Sequence, residues 1–182
     1  EKIKYLIFRD IKKEEEAAQF LKEHISNPDL RDIAIEIAIG KNDFKEAIRL
    51  AYEGIECDKK DKPGLVDNWY EWLLKIAQRT VDTERIIEYA RYLFLESNRT
   101  KDKYYRILSQ NIALEKWHPF VEELIHEIKT ANRWYQLELL PDIYIGEAWW
   151  DRLLEYVKSS NSLRTIEVYS KYLKNEYSDE LI

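Results

Sequence analysis

The sequence predicts an all-α fold, a right-handed stack of about five helical hairpins, and three observations carry that prediction. An apolar triad spaced i, i+3, i+4 recurs five times along the chain. Glycine and proline are scarce, four of each in 182 residues, while hydrophobic side chains make up 45% and charged ones 35%; this balance suits long amphipathic helices better than turn-rich β structure. Residues able to cap a helix stand where hairpins must turn.

The triads are Ala17, Phe20, Leu21; Ala47, Leu50, Ala51; Ile86, Tyr89, Ala90; Val121, Leu124, Ile125; and Leu153, Tyr156, Val157, with first members 30, 39, 35 and 32 residues apart. Residues at this spacing share one face of a helix, and each interval leaves room for a partner helix and two short turns. The surrounding text agrees, since EEEAAQFL, FKEAIRLA and TERIIEYA all place charge ahead of a small or branched pair and an apolar close. A single hairpin cannot bury its apolar stripe, so the triads are expected to form the core between neighbours.

In chain order, helices are expected over residues 2–10, 13–25, 28–39, 43–59, 64–79, 83–97, 101–112, 116–130, 133–146, 148–159 and 162–176. Asn27 before Pro28 suits an N-cap followed by a first-turn proline. Asp43, Asp82, Thr100, Asn132 and Ser162 each stand ready to cap a following helix. Gly40 and Gly64 sit at junctions, where glycine takes a positive φ without steric cost. Pro141 requires a break or kink near Leu140. In DIAIEIAIG, Ile33, Ile35, Ile37 and Ile39 alternate as in a strand. The intervening Ala34 and Ala38 make the run apolar nearly all round, however, and Asn27–Arg31 is a good helix start, so a helix buried between two neighbours is expected.

Six tryptophans and thirteen tyrosines supply too much apolar area for a disordered chain. The single cysteine, Cys57, forms no internal disulfide, which fits a reducing, cytoplasmic setting. No stretch approaches a membrane-spanning length of uninterrupted apolar residues, and the charged N-terminus is no signal peptide, so a soluble segment is expected. The formal charge of −6 is spread along the chain and argues against non-specific nucleic-acid binding. Without a methionine at its start or anywhere else, residues 1–182 read as a single helical-repeat domain cut from a longer protein.

The phrases RDIAIEIAIGKNDFKEAIRLAYEGIE, PGLVDNWYEWLLKIAQ, DTERIIEYARYLFLE, LLPDIYIGEAWWDRLLEYVK and IEVYSKYLKNEYSDEL resemble, in order, the helical-repeat region that accompanies SWIM zinc-finger modules in bacterial proteins, itself similar to tetratricopeptide (TPR) arrays. The resemblance implies a TPR-like α-α superhelix that mediates contacts. The Cys-x-Cys and Cys-x-His pairs of the zinc-finger module are absent, because Cys57 stands alone, and so is the TPR consensus of tryptophan, leucine-glycine and proline. Only the architecture carries over.

Candidate chemistry is thin. His118, Glu122 and His126 are spaced i, i+4, i+8, but successive members turn about 40° apart on a helix and the two imidazoles diverge, so no metal or other cofactor is expected. Cys57 has nearby lysines but no local histidine to make it a nucleophile. No glycine-rich phosphate loop exists, and no catalytic residue is assigned. The aromatic clusters Trp69, Tyr70, Trp72; Tyr104, Tyr105; Trp134, Tyr135; and Trp149, Trp150 read first as filling between hairpins. One member of each adjacent pair can stay near the surface. Trp69, Tyr70, Tyr104, Tyr105 and Trp149 are the candidate protein-binding residues. The basic cluster Arg91, Arg99, Lys101, Lys103 and Arg106 is the nucleic-acid candidate.

The expected function is a non-catalytic scaffold for protein-protein or interdomain contacts, with an accessory nucleic-acid-binding module of a SWIM-type protein as the alternative. Ser178, Asp179 and Glu180 look like the start of a further helix. Without it, Ile166, Tyr169 and Leu173 are expected to lack cover and to promote self-association through the C-terminal end.

Overall fold

The computed structural model describes residues 1–11, 13–97, 101–131, 133–160, 162–174 and 177. All regular structure among them is helical. The chain divides into two compact units, Glu1–Glu115 and Lys116–Ile182. The first contains α1 (Lys2–Asp10), α2 (Glu14–Glu23), α3 (Pro28–Gly40), α4 (Phe44–Asp58), α5 (Pro63–Thr80), α6 (Thr83–Glu96) and α7 (Lys101–Asn111). Each packs on the next in sequence, α2 on α3 the most lightly. The second holds nearly all of α8 (Leu114–Ala131), with α9 (Trp134–Leu137), α10 (Leu140–Gly146), α11 (Trp150–Ser159) and α12 (Leu163–Leu173). There α10 packs on α11, and α11 on α12.

The triads are core. Of their fifteen side chains only Leu21 and Tyr156 are half-buried; the rest are buried. In the first unit α4 and α6 turn Ala47, Leu50, Ala51, Ile86, Tyr89 and Ala90 inward, and α5 supplies Trp69, Leu73, Leu74, Ile76 and Ala77. Each such fully buried leucine or isoleucine is worth roughly 1.5–3 kcal/mol. At the amino end, Tyr5, Ala17, Phe20 and Leu30 form a smaller cluster flanked by Leu6, Phe8, Leu21 and Ile33.

Four expected caps are formed: Asn27 accepts from the Leu30 N–H, Asp43 from Glu46, Asp82 from Arg85 and Ser162 from Thr165, at 3.1–3.4 Å. Each satisfies one orphan donor of a helix start. Thr100 and Asn132 lie outside the described residues, as do residues 175 and 176 of the last predicted helix and Ser178, Asp179 and Glu180.

The turns differ from expectation. No described glycine has a positive φ; Asn42, Val81 and Ala148 take the left-handed conformation instead, at φ 59°, 56° and 55°. All three close a hairpin in the same way. The next N–H bonds back to the carbonyl five residues earlier, Asp43 to Ala38, Asp82 to Ala77 and Trp149 to Tyr144, at 2.8–2.9 Å. Gly40 ends α3 and Gly64 lies in the first turn of α5, both with open space where a Cβ would stand. The glycine that matters is Gly54, where a Cβ would meet the Trp69 ring at 2.6 Å, so α4 and α5 approach through it.

The isoleucine run is helical, α3. Ile35 and Ile39, four apart, are buried with Leu30 and Ala38, whereas Ile33 is half-buried and Ile37 is 36% exposed. The helix therefore has one buried face, not burial on two sides, because it packs closely on α4 and only lightly on α2. The predicted ninth helix is broken ahead of Pro141 into α9 and α10. The lack of cover expected at α12 is not seen: Leu173 is 0% exposed, Tyr169 sits edge-on to Tyr156 at 6.2 Å, and Ile166 is half-buried. That stripe is the inner face of α12, and Leu163, Val168 and Tyr172 are exposed instead. No helix among the described residues is long and apolar enough to cross a membrane.

Candidate functional site

A groove of about 600 Å³ opens in the first unit, and every residue lining it comes from α3, α5 or α7. Helices that alternate in a row of antiparallel neighbours present their outer sides to a common face, which is how α4 and α6 leave this surface to the odd-numbered helices. The long α5 contributes most. Asn68, Glu71, Trp72, Lys75 and Gln78 fall at i, i+3, i+4, i+7 and i+10, a polar stripe on the same helical period as the apolar triads. Asp32 of α3 and Lys103 of α7 form the two walls.

The groove is held by bonds between those helices. Trp72, half-buried, donates its indole N–H to Asp32. The Lys75 ammonium lies 4.3 Å from the Trp72 ring centroid, in cation–π range. Across from them Lys103 Nζ donates to both Glu71 oxygens at 2.9 Å, and the hydroxyl of buried Tyr104 donates to the same carboxylate. The resulting surface is an aromatic plate with two acids, two bases and two amides around it, able to meet both the backbone and the side chains of an extended peptide.

A second pocket, of about 400 Å³, lies in the other unit, lined by His118, Glu122, Ala148, Trp149, Trp150, Asp151, Arg152 and Tyr177. Arg152 grips Glu122 with two hydrogen bonds, 2.6 and 3.0 Å, and stacks 4.2 Å from the Trp149 centroid. Hydrogen bonding to that guanidinium holds the Glu122 carboxyl below the usual carboxylate range, and the carboxylate in turn raises Arg152. His118 stands 5.2 Å from Trp149. Of the predicted histidine set, His118 and Glu122 meet here and His126 does not. Glu122 serves the arginine, and no group of three or more His, Cys, Asp or Glu side chains among the described residues is placed to hold a metal ion.

The other predicted residues are dispersed. Trp69 and Tyr104 are buried, and their rings present no surface to a partner. Tyr70 stacks on Tyr92 at 3.6 Å and meets Tyr89 edge-on, with Tyr52 and Tyr89 sharing a 2.8 Å hydroxyl hydrogen bond. Burial raises the Tyr70 and Tyr89 phenols. Tyr105 packs on Phe94 at 5.3 Å. Trp149 belongs to the second pocket. In the basic cluster, Lys101 donates to the Leu95 carbonyl and Lys103 to Glu71, while Arg99 lies outside the described residues. Trp72 was legible as an aromatic but not as a site; the polar stripe of α5 was the signal that marks it.

No protein-family model matches the chain, and no curated protein or solved structure matches it either.

Proposed function

We propose that the chain is a non-catalytic helical-repeat scaffold whose first unit holds an extended segment of a partner protein, or of another domain of the same chain, in the groove of α3, α5 and α7. The observation that carries this reading is the origin of the lining: one continuous surface drawn from alternate helices, centred on the half-buried Trp72. The hairpins of residues 1–115 then stack as a TPR-like superhelix, in keeping with the resemblance of the sequence to such repeats. A cytoplasmic setting and a longer bacterial-type host protein belong to the same reading.

Both acids of this groove are engaged within the fold, Glu71 with Lys103 and Tyr104 and Asp32 with Trp72, which favours a binding surface over acid-base work. The nucleic-acid alternative draws less support, because Lys101 and Lys103 are engaged within the fold.

Peptides selected by display against the whole chain test the proposal. Binding is expected to weaken about tenfold or more in Trp72→Ala, as for an aromatic hot spot. Selected peptides that bind the wild type and Trp72→Ala equally would place the binding surface elsewhere.

A further inference from the structure

Where α3, α4 and α5 meet, away from the groove lining, a polar cluster is built into the core. Arg31 is 2% exposed and its guanidinium lies 5.6 Å from the Trp69 ring centroid. Trp69 donates its indole N–H to the buried Asp58 at 2.8 Å. The Arg31 Nε and Nη1 atoms are buried without a hydrogen-bond partner. Its Nη2 points at the sulfur of Cys57, 3.6 Å away, and Cys57 is exposed. A buried guanidinium is costly unless its donors are met, and a thiol sulfur is a weak acceptor. The lysine next in sequence does not supply the charge at this sulfur, because Lys59 is paired with Glu56. Arg31, 26 residues away in sequence, does.

The cluster thus presents a reachable sulfur on one side and an under-used cationic donor on the other. Oxygen bonded to that sulfur is a far stronger acceptor than the sulfur itself, and it forms on the atom at which Nη2 already aims. We propose that Cys57 is a site of reversible oxidation by a hydroperoxide, with the oxygen it gains held by the Arg31 guanidinium. The thiol loses its proton to solvent and the sulfur attacks one peroxide oxygen. The O–O bond breaks, the sulfur is oxidised to a sulfenic acid, and the peroxide is reduced to water or an alcohol, which takes up a proton. Two equivalents of a thiol reverse the step, leaving as a disulfide and water.

The chain suits a direct test, because Cys57 is its single cysteine and it has no methionine to compete for oxidant. The reduced chain is treated with hydrogen peroxide, its mass and its dimedone adduct are measured, and the melting temperature is compared before and after. One oxygen at Cys57 is expected, with a melting temperature raised by about 2–4 °C or more, the shift that a net gain of one hydrogen bond gives a chain of this size. Dithiothreitol should return the melting temperature to its starting value. An oxidised chain that melts at the same or a lower temperature overturns the proposal, and so does an equal rise in Cys57→Ser. In Arg31→Met, an unbranched apolar replacement that removes the guanidinium, Cys57 should still take up oxygen but without the rise. A rise that survives there removes Arg31 from the mechanism. If Arg31→Met fails to fold, the wild type against Cys57→Ser decides.

Discussion

Trp69 and Trp72 stand three residues apart on α5, and each donates its indole N–H to an aspartate, Asp58 and Asp32 respectively. Their surroundings differ. Trp69 lies against Gly54 of α4, which has no side chain to hold the ring off, and it is 2% exposed. Trp72 is turned toward the α3 and α7 side, has Lys75 over its ring, and stays half-buried at the centre of the groove. The same residue type on one helix therefore serves the fold in one place and an open surface in the other. The deciding factor is whether a neighbouring helix offers a small residue to receive it.

Substitutions can break this comparison on either side. The largest expected effect is at Trp69→Ala, which removes a buried indole, opens a cavity and leaves Asp58 unpaired; a loss of about 3–5 kcal/mol in denaturant melts is expected. Gly54→Ala pushes a methyl into the same ring and should cost about 1–3 kcal/mol through overpacking. Trp72→Ala should cost no more than about 1 kcal/mol, since its ring is only partly covered, while removing groove binding. A stability loss at Trp72 as large as that at Trp69 would erase the distinction between them.

The turns offer a second contrast, of opposite sign. Asn42 tolerates the left-handed region, whereas Val81, β-branched and 79% exposed, is strained there. Val81→Gly should stabilise by about 0.5–1 kcal/mol, the relief of strain outweighing the added freedom of the unfolded chain. Destabilisation in that variant would mean the valine side chain contributes contacts that its exposure conceals.

The smallest and most diffuse effect is expected in alkali. Burial raises the phenols of Tyr70, Tyr89, Tyr156 and Tyr169 above their ordinary value, most of all Tyr89. The unfolded chain then loses these protons first, so stability should be full below about pH 10 and fall as pH rises through that value. Melts in Tyr89→Phe should show a shallower fall; an unchanged slope would assign the effect to other groups.

Helices, caps and core triads were legible because each depends on local spacing. The period of three and four residues marks the buried face, and Asn27, Asp43, Asp82 and Ser162 bond to donors only three residues on. Turn closure was not legible: position sets the left-handed residue, and the chain puts Val81 and Ala148 where glycine was the natural expectation. The split between Trp69 and Trp72 was equally hidden, since it depends on Gly54 and Asp32, fifteen and forty residues away. The polar stripe of α5 was present in the sequence, but only the alternation of packed helices shows that α3 and α7 flank it. The Arg31–Cys57 approach spans 26 residues and two helices, and no local pattern announces it.

The indole N–H resonances of the whole chain give the most direct test of the scaffold reading. With a selected peptide titrated in, the Trp72 signal should shift in step with saturation, because its aspartate partner and its ring both border the groove. The Trp69 signal, enclosed by Gly54, Asp58 and Arg31, should stay in place. A Trp72 resonance unmoved at saturation, or a Trp69 resonance that shifts as far, would contradict the assignment of this groove as the binding surface.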